Sequence, residues 1–286
     1  MKKIFTLLAL TISYTMNAQM SDYSEGTSAT GSNAVAMGKS TTASGSRSTA
    51  MGGDSTASGD FSVAMGRGTT ASGTNSTAMG SGTIASGNNS SAMGYYTTAS
   101  GHKTTAMGAN TTASDYASLV IGQFNSSGSS VTNNATSFNT ANTAFVIGNG
   151  ADSSNKSDAF KVMFNGDTTV SNDLTVSGDV VISSDARLKS NIVSLGSTLP
   201  KLLQIDGKSY EMKGKQKIGV LAQEIKEVFP ELVSEDDNEM LSVNYQGLVP
   251  VLINALKEQD AKMKEQEKKI NRLEKILLKL NENYED

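Results

Sequence analysis

Glycine recurs at every seventh position from Gly31 to Gly108. No other feature limits the fold of this chain so tightly. The full repeat is twice that length. Ala-Met-Gly begins at Ala36, Ala50, Ala64, Ala78, Ala92 and Ala106, and Ala-Ser-Gly begins midway between, at Ala43, Ala57, Ala71, Ala85 and Ala99. A heptad spacing suggests a coiled coil, but the residue types forbid one. Each Gly costs a helix about 1 kcal/mol, and Ser and Thr fill most other positions. Each half-repeat reads instead as a short alternating strand ended by a tight turn at Gly. Two strands and two turns per full repeat make one coil of a parallel β-solenoid.

One face of each strand carries Ser/Thr, Ala and Gly. The other carries Val/Thr and Met/Ser, as in Val63 and Met65. The larger side chains either fill the coil or face a neighbouring subunit. In both cases one coil buries little. A fully buried Met or Val contributes about 1.5–3 kcal/mol, against an ordering cost of about 1–2 kcal/mol per residue. Stacking, and partner chains, are therefore expected. Strict Ala/Gly register argues against a disordered tract. Ordered Thr ranks also suit an ice or sugar surface. His102, the single histidine, is expected as an exposed turn residue.

"NAVAMG" (33–38), "FSVAMG" (61–66) and "NSTAMG" (75–80) resemble the head repeats of trimeric autotransporter adhesins, over about residues 24–122. The resemblance implies a trimeric left-handed parallel β-roll, with extracellular-matrix proteins or surfaces as ligands. Those adhesins end in a membrane β-barrel. Here the C-terminal "NENYED" shows no alternating apolar strands.

The N-terminal "MKKIFTLLALTISYTMNAQ" has basic Lys2 and Lys3, an apolar Ile4 to Ile12 and small Ala18, the pattern of a signal peptide over residues 1–18. Export and a cell-surface or extracellular location are expected, with no membrane span in the mature chain. With one His and no Cys, thiol catalysis, disulfides and Cys/His zinc sites are excluded. No metal or other cofactor is expected. A net charge of −4 without a basic cluster argues against nucleic acid.

After the head (19–122), residues 123–183 read as a β-rich connector. "LVIGQF" (119–124), "AFVIGNG" (144–150), "AFKVMFNGD" (159–167) and "DLTVSGDVVI" (173–182) are expected strands. By analogy with phage tail fibres they suggest a β-prism neck.

"SSDARLKSNI" (183–192) opens a different kind of sequence. It is similar to the intramolecular chaperone of endosialidase-type tail spikes, also found in a self-cleaving membrane-bound transcription factor. Ser184, Asp185, Arg187 and Lys189 fit its Ser-Asp-x-Arg-x-Lys pattern. "IGVLAQEI" (218–225) fits a Gly-x-x-Ala-Gln-Glu core, and "SVNYQGLVPVLINALKEQ" (242–259) a Tyr-x-x-Leu-x-Pro segment. The resemblance implies self-cleavage before the serine. Ser184 attacks the Ser183 carbonyl, Lys189 takes the proton, and Asp185 and Arg187 orient the site. A serine needs an adjacent base, and a lysine serves only when deprotonated, which burial favours. A plainer alternative makes Ser184 and Asp185 a helix cap, with Arg187 and Lys189 on a solvated face. The chaperone domain is expected over 184–248. "SEDDNEM" (234–240) reads as a solvated hairpin tip rather than a cation site.

From Val249 to the end, residues 249–286 form a heptad pattern. Val249, Leu256, Met263, Ile270 and Leu277 occupy one core position. Leu252, Gln259, Gln266, Leu273 and Leu280 occupy the other. A coiled coil is expected, with a single amphipathic helix on its own domain as the alternative. Heptads leave the oligomer open; the two resemblances imply a homotrimer.

The parts combine into an exported trimeric fibre with an adhesin-like head for host, matrix or glycan surfaces. Interchangeable coils slip easily, because a one-coil shift keeps most contacts. A C-terminal trimer clamp sets their register and then leaves by one turnover between Ser183 and Ser184. The rivals are a structural surface fibre with an uncleaved clamp, and a phage-tail-like fibre.

Overall fold

A computed structural model describes residues 20–21, 26–236 and 239–282. The expected signal peptide lies outside them. The chain divides into two compact units, 1–180 and 181–286.

The first unit is a β-solenoid. Long strands such as Val35–Lys39, Thr49–Gly53 and Val63–Arg67 pair in parallel, each with its equivalent in the next coil. Two-residue strands such as Thr42–Ala43 and Thr56–Ala57 build a second, seven-stranded parallel sheet. The interior between the sheets is made of alanine. Ala36, Ala43, Ala50, Ala57 and their equivalents through Ala113 are fully buried, flanked by buried Ser and Thr such as Ser48, Ser62, Thr69 and Thr83. Methyl groups therefore fill the coil, and Val63 and Met65 point outward, half-buried.

The glycine period has a direct steric cause. A Cβ on Gly59 would lie 2.1 Å from the carbonyl oxygen of Gly73, and one on Gly66 would lie 1.9 Å from that of Gly80. Stacked coils approach too closely there for any side chain. Gly66 also has a φ of +127°, which L side chains rarely adopt. Two further turn positions per coil are left-handed but lie on the outer edge, so side chains fit. Arg47, Phe61, Asn75, Asn89 and Lys103 occupy one of them.

Leu119–Gln123 and Thr143–Asn149 continue the long-strand sheet in parallel, and Asp158–Met163 and Thr168–Val170 add to it antiparallel. The expected strand over 173–182 does not form. Leu174, Val176, Val180 and Ile182 alternate as a strand would, but all four are exposed and have no sheet to lie on within one chain. His102 is half-buried rather than exposed, because its backbone N–H donates to Ala135 O of a loop that folds over this turn.

The second unit is small and α+β. A short helix α1 (Leu199–Leu202) precedes the antiparallel hairpin Lys208–Met212/Lys215–Gly219. Helix α2 (Ala222–Val228) and the hairpin Val233–Glu235/Leu241–Val243 follow. Helix α3 (Leu248–Glu282) runs 35 residues. The core is Ile225, Val228, Phe229 and Val251, with Leu202, Val220, Leu232 and Val243 against it. The acidic segment does turn between paired strands; Asp237 and Asn238 lie outside the described residues.

Candidate functional site

The segment following Ile182 makes a single 3-10 turn, Ala186–Leu188. Asp185 caps it: its Oδ1 accepts the Arg187 N–H at 2.8 Å. The same carboxylate receives the Arg187 guanidinium, Nε at 3.1 Å to each oxygen and Nη2 at 2.7 Å to Oδ2. Arg187 thus holds the Asp185 carboxyl below the usual carboxylate range, first through its side chain and then through its backbone N–H. In return Asp185 raises the guanidinium. The turn ends at Lys189, whose N–H donates to Ala186 O at 3.1 Å.

This turn brings Lys189 back over Ser184. Lys189 Nζ donates to Ser184 Oγ at 2.7 Å, within the reach that a base needs of its nucleophile. The Asp185 and Arg187 side chains bond to each other rather than to Ser184 or Lys189. They shape the turn. As in the helix-cap alternative, Asp185 is a cap, though of a 3-10 turn, and Arg187 and Lys189 are exposed; Lys189 also reaches the serine hydroxyl. All four residues are exposed in one chain, as is Ser183. So are Val181 (87%), Leu188, Ile192 and Val193 (83%) around them.

Two parts of this unit escaped sequence reasoning. Gly219 and Tyr245, from separate motifs, meet. A Cβ on Gly219 would lie 2.6 Å from the Tyr245 hydroxyl, which accepts the Val220 N–H at 3.1 Å. Glu258, at neither core position of the heptad, holds the segment that follows Lys189. Its carboxylate accepts from Ser197 Oγ at 2.7 Å, from the Thr198 N–H, and from Leu199 N at 3.2 Å. Ser197 and then the Thr198 N–H push its pKa down. Buried Thr198 donates its hydroxyl to Val251 O at 3.0 Å.

Among the described residues no group of three or more His, Cys, Asp or Glu is placed to hold a metal. Nor is any helix among them long and apolar enough to cross a membrane.

Comparison with protein families agrees with the geometry of both units. Residues 29–55, 43–69, 71–97 and 99–125 match the YadA head domain repeat, a model that spans two copies of the repeat. Residues 184–234 match the chaperone of endosialidase, and that match begins at Ser184. The chain therefore carries YadA-type head repeats followed, in that order, by an endosialidase-type chaperone domain. No curated protein matches the chain.

Proposed function

We propose that the protein is an exported, adhesin-like homotrimeric fibre, whose C-terminal domain assembles the trimer and then cuts itself away before Ser184. The observation that carries this reading is the 2.7 Å contact between Lys189 Nζ and Ser184 Oγ, at the start of a chaperone-type domain that follows a β-roll head.

Two apolar surfaces, one half-buried on the head and one exposed on α3, support trimerisation. On the head, Met37, Met51, Met65, Met79, Met93 and Met107 form an in-register ladder on the outer face of the long-strand sheet. On α3, the heptad residues Leu256 (70%), Met263, Ile270 and Leu273 stand in solvent in a single chain. Neighbouring chains bury both. The alternating apolar residues of 173–182 gain their sheet in the same way, as a neck. Within this reading the mature chain comprises the head 19–122 and connector 123–183; the chaperone 184–248 and helical clamp 249–286 are released.

Cleavage follows from assembly. As an ammonium, Lys189 donates and takes no proton. Packing of Val181, Leu188, Ile192 and Val193 against neighbouring chains withdraws water from the pair, the kind of setting in which lysine side chains serve as bases. The amine then accepts the Ser184 hydroxyl proton while Oγ bonds to the Ser183 carbonyl carbon. The Ser183–Ser184 C–N bond breaks, and the amine of Ser184 receives the proton. Water hydrolyses the resulting ester. Ser183 ends as a carboxylate, and Ser184 regains its hydroxyl at a new N-terminus. The head is the binding part; a host, matrix or glycan surface is its ligand class.

Intact-mass measurement of the expressed protein tests this. Two products separated at Ser183/Ser184, absent in Ser184→Ala, are expected. A full-length trimer alone favours a structural fibre with a permanent clamp.

A further inference from the structure

The last coil of the solenoid departs from the repeat in a specific way. At Asp115 a carboxylate stands where Gly31, Gly45, Gly59, Gly73, Gly87 and Gly101 stand in earlier coils. Those glycines are enforced by the backbone of the following coil. Beyond Asp115 no regular coil follows. The chain leaves after Gln123, runs through a loop over 124–142, and re-enters the long-strand sheet at Thr143.

The short-strand sheet would therefore end in an open edge. In regular coils its backbone N–H groups donate to a carbonyl of the next coil: Thr98 N to Thr111 O, and Ser100 N to Ala113 O. Thr112 keeps the offset, but its acceptor is the side chain of Asn125, Oδ1 at 2.8 Å. Asn125 Nδ2 donates back to Thr112 O at 2.9 Å. One buried side-chain amide thus replaces a peptide unit of the missing strand. Ser114 N bonds to Gly128 O in the loop.

Asp115 does the same at the turn. Its Oδ1 accepts Thr132 N at 2.6 Å and its Oδ2 accepts Thr143 N at 2.8 Å. Asp115 is fully buried, so its acceptor capacity is spent on the loop and the re-entering strand. Asn142, also fully buried, clasps Asn134 through both amide atoms, at 2.8 and 2.6 Å.

We propose that residues 115–143 are a built-in end cap that fixes the register of the coils within each chain. The interior coils are interchangeable, but only one coil carries Asp115 and Asn125. Winding that starts from this end has one solution, and the sheet edge that would otherwise template another chain is covered. The chaperone then has to align three chains, not the coils within each chain. This inference is independent of self-cleavage.

Hydrogen exchange on the trimer, with every chain carrying Ser184→Ala so that it stays full length, tests it, comparing the otherwise unaltered chain with Asp115→Gly, which restores the repeat, with Asp115→Asn and Asn125→Ala, and with Ser58→Ala as a control in a middle coil. Losing a buried acceptor should speed exchange of the amides around 98–123 by roughly 10- to 100-fold, graded away from the cap, with Asp115→Asn intermediate and Ser58→Ala unchanged. If Asp115→Gly fails to fold, Asp115→Asn decides. Wild-type protection in Asp115→Asn and Asn125→Ala, or a loss spread evenly over all coils, overturns the proposal.

Discussion

Lys189 Nζ lies 2.7 Å from Ser184 Oγ, and the 3-10 turn capped by Asp185 sets that distance. The pair is in contact before any neighbouring chain arrives. In one chain both residues are exposed; under the proposed function assembly supplies the dry environment for the lysine, and cleavage comes after it. Lys189→Arg keeps a cation that cannot act as a base. It should trimerise normally yet stay full length, as read by gel and oligomer mass.

The steric origin of the glycine period gives a paired prediction. Gly59→Ala places a methyl group 2.1 Å from Gly73 O, whereas a Cβ on Gly53 meets nothing within 4 Å. Gly59→Ala should lower head stability by about 2–4 kcal/mol. Gly53→Ala should be neutral or slightly stabilising. Thermal unfolding of the two variants checks the contrast.

The Glu258 clasp predicts a pH dependence of known sign. Its pKa is lowered in the folded unit, so its contribution is fully present above the ordinary carboxylate range. It is lost as pH falls through the lower, folded value. Wild type should therefore lose thermal stability on acidification more steeply than Glu258→Gln, measured by melting between neutral and strongly acidic pH. At neutral pH Glu258→Gln should melt lower.

On the head, Met65 and Met79 are in-register neighbours on the outward face. A Met65→Glu/Met79→Glu variant should keep the roll, whose interior is alanine, while weakening lateral association of heads. Circular dichroism and sedimentation of the double variant separate the two effects.

The sequence announces the solenoid because steric exclusion writes itself directly into composition: each Gly and each buried Ala marks a backbone contact. The contact between Ser184 and Lys189 is likewise legible, since the short spacing between them closes over one 3-10 turn. The end cap was not. Asp115 and Asn125 act by imitating backbone, and nothing in an isolated Asp or Asn distinguishes that role from an ordinary turn. Glu258 was hidden for a related reason. A heptad assigns it to the solvated flank, while its partners Ser197 and Thr198 lie far earlier in the chain, before both hairpins of the unit. Residues 173–182 carry a strand pattern, yet no strand forms there within one chain.

Under the proposed function Lys189 becomes a base only inside the assembled trimer. Leu256→Asp/Ile270→Asp puts charge at two exposed heptad positions of α3 and leaves Ser184, Lys189 and the buried Val251 and Ala255 untouched. Intact mass over time, read alongside oligomer mass, gives the most direct test. A folded monomer that stays full length, under conditions where wild type separates at Ser183/Ser184, is expected. A monomer that cleaves at the wild-type rate would contradict it.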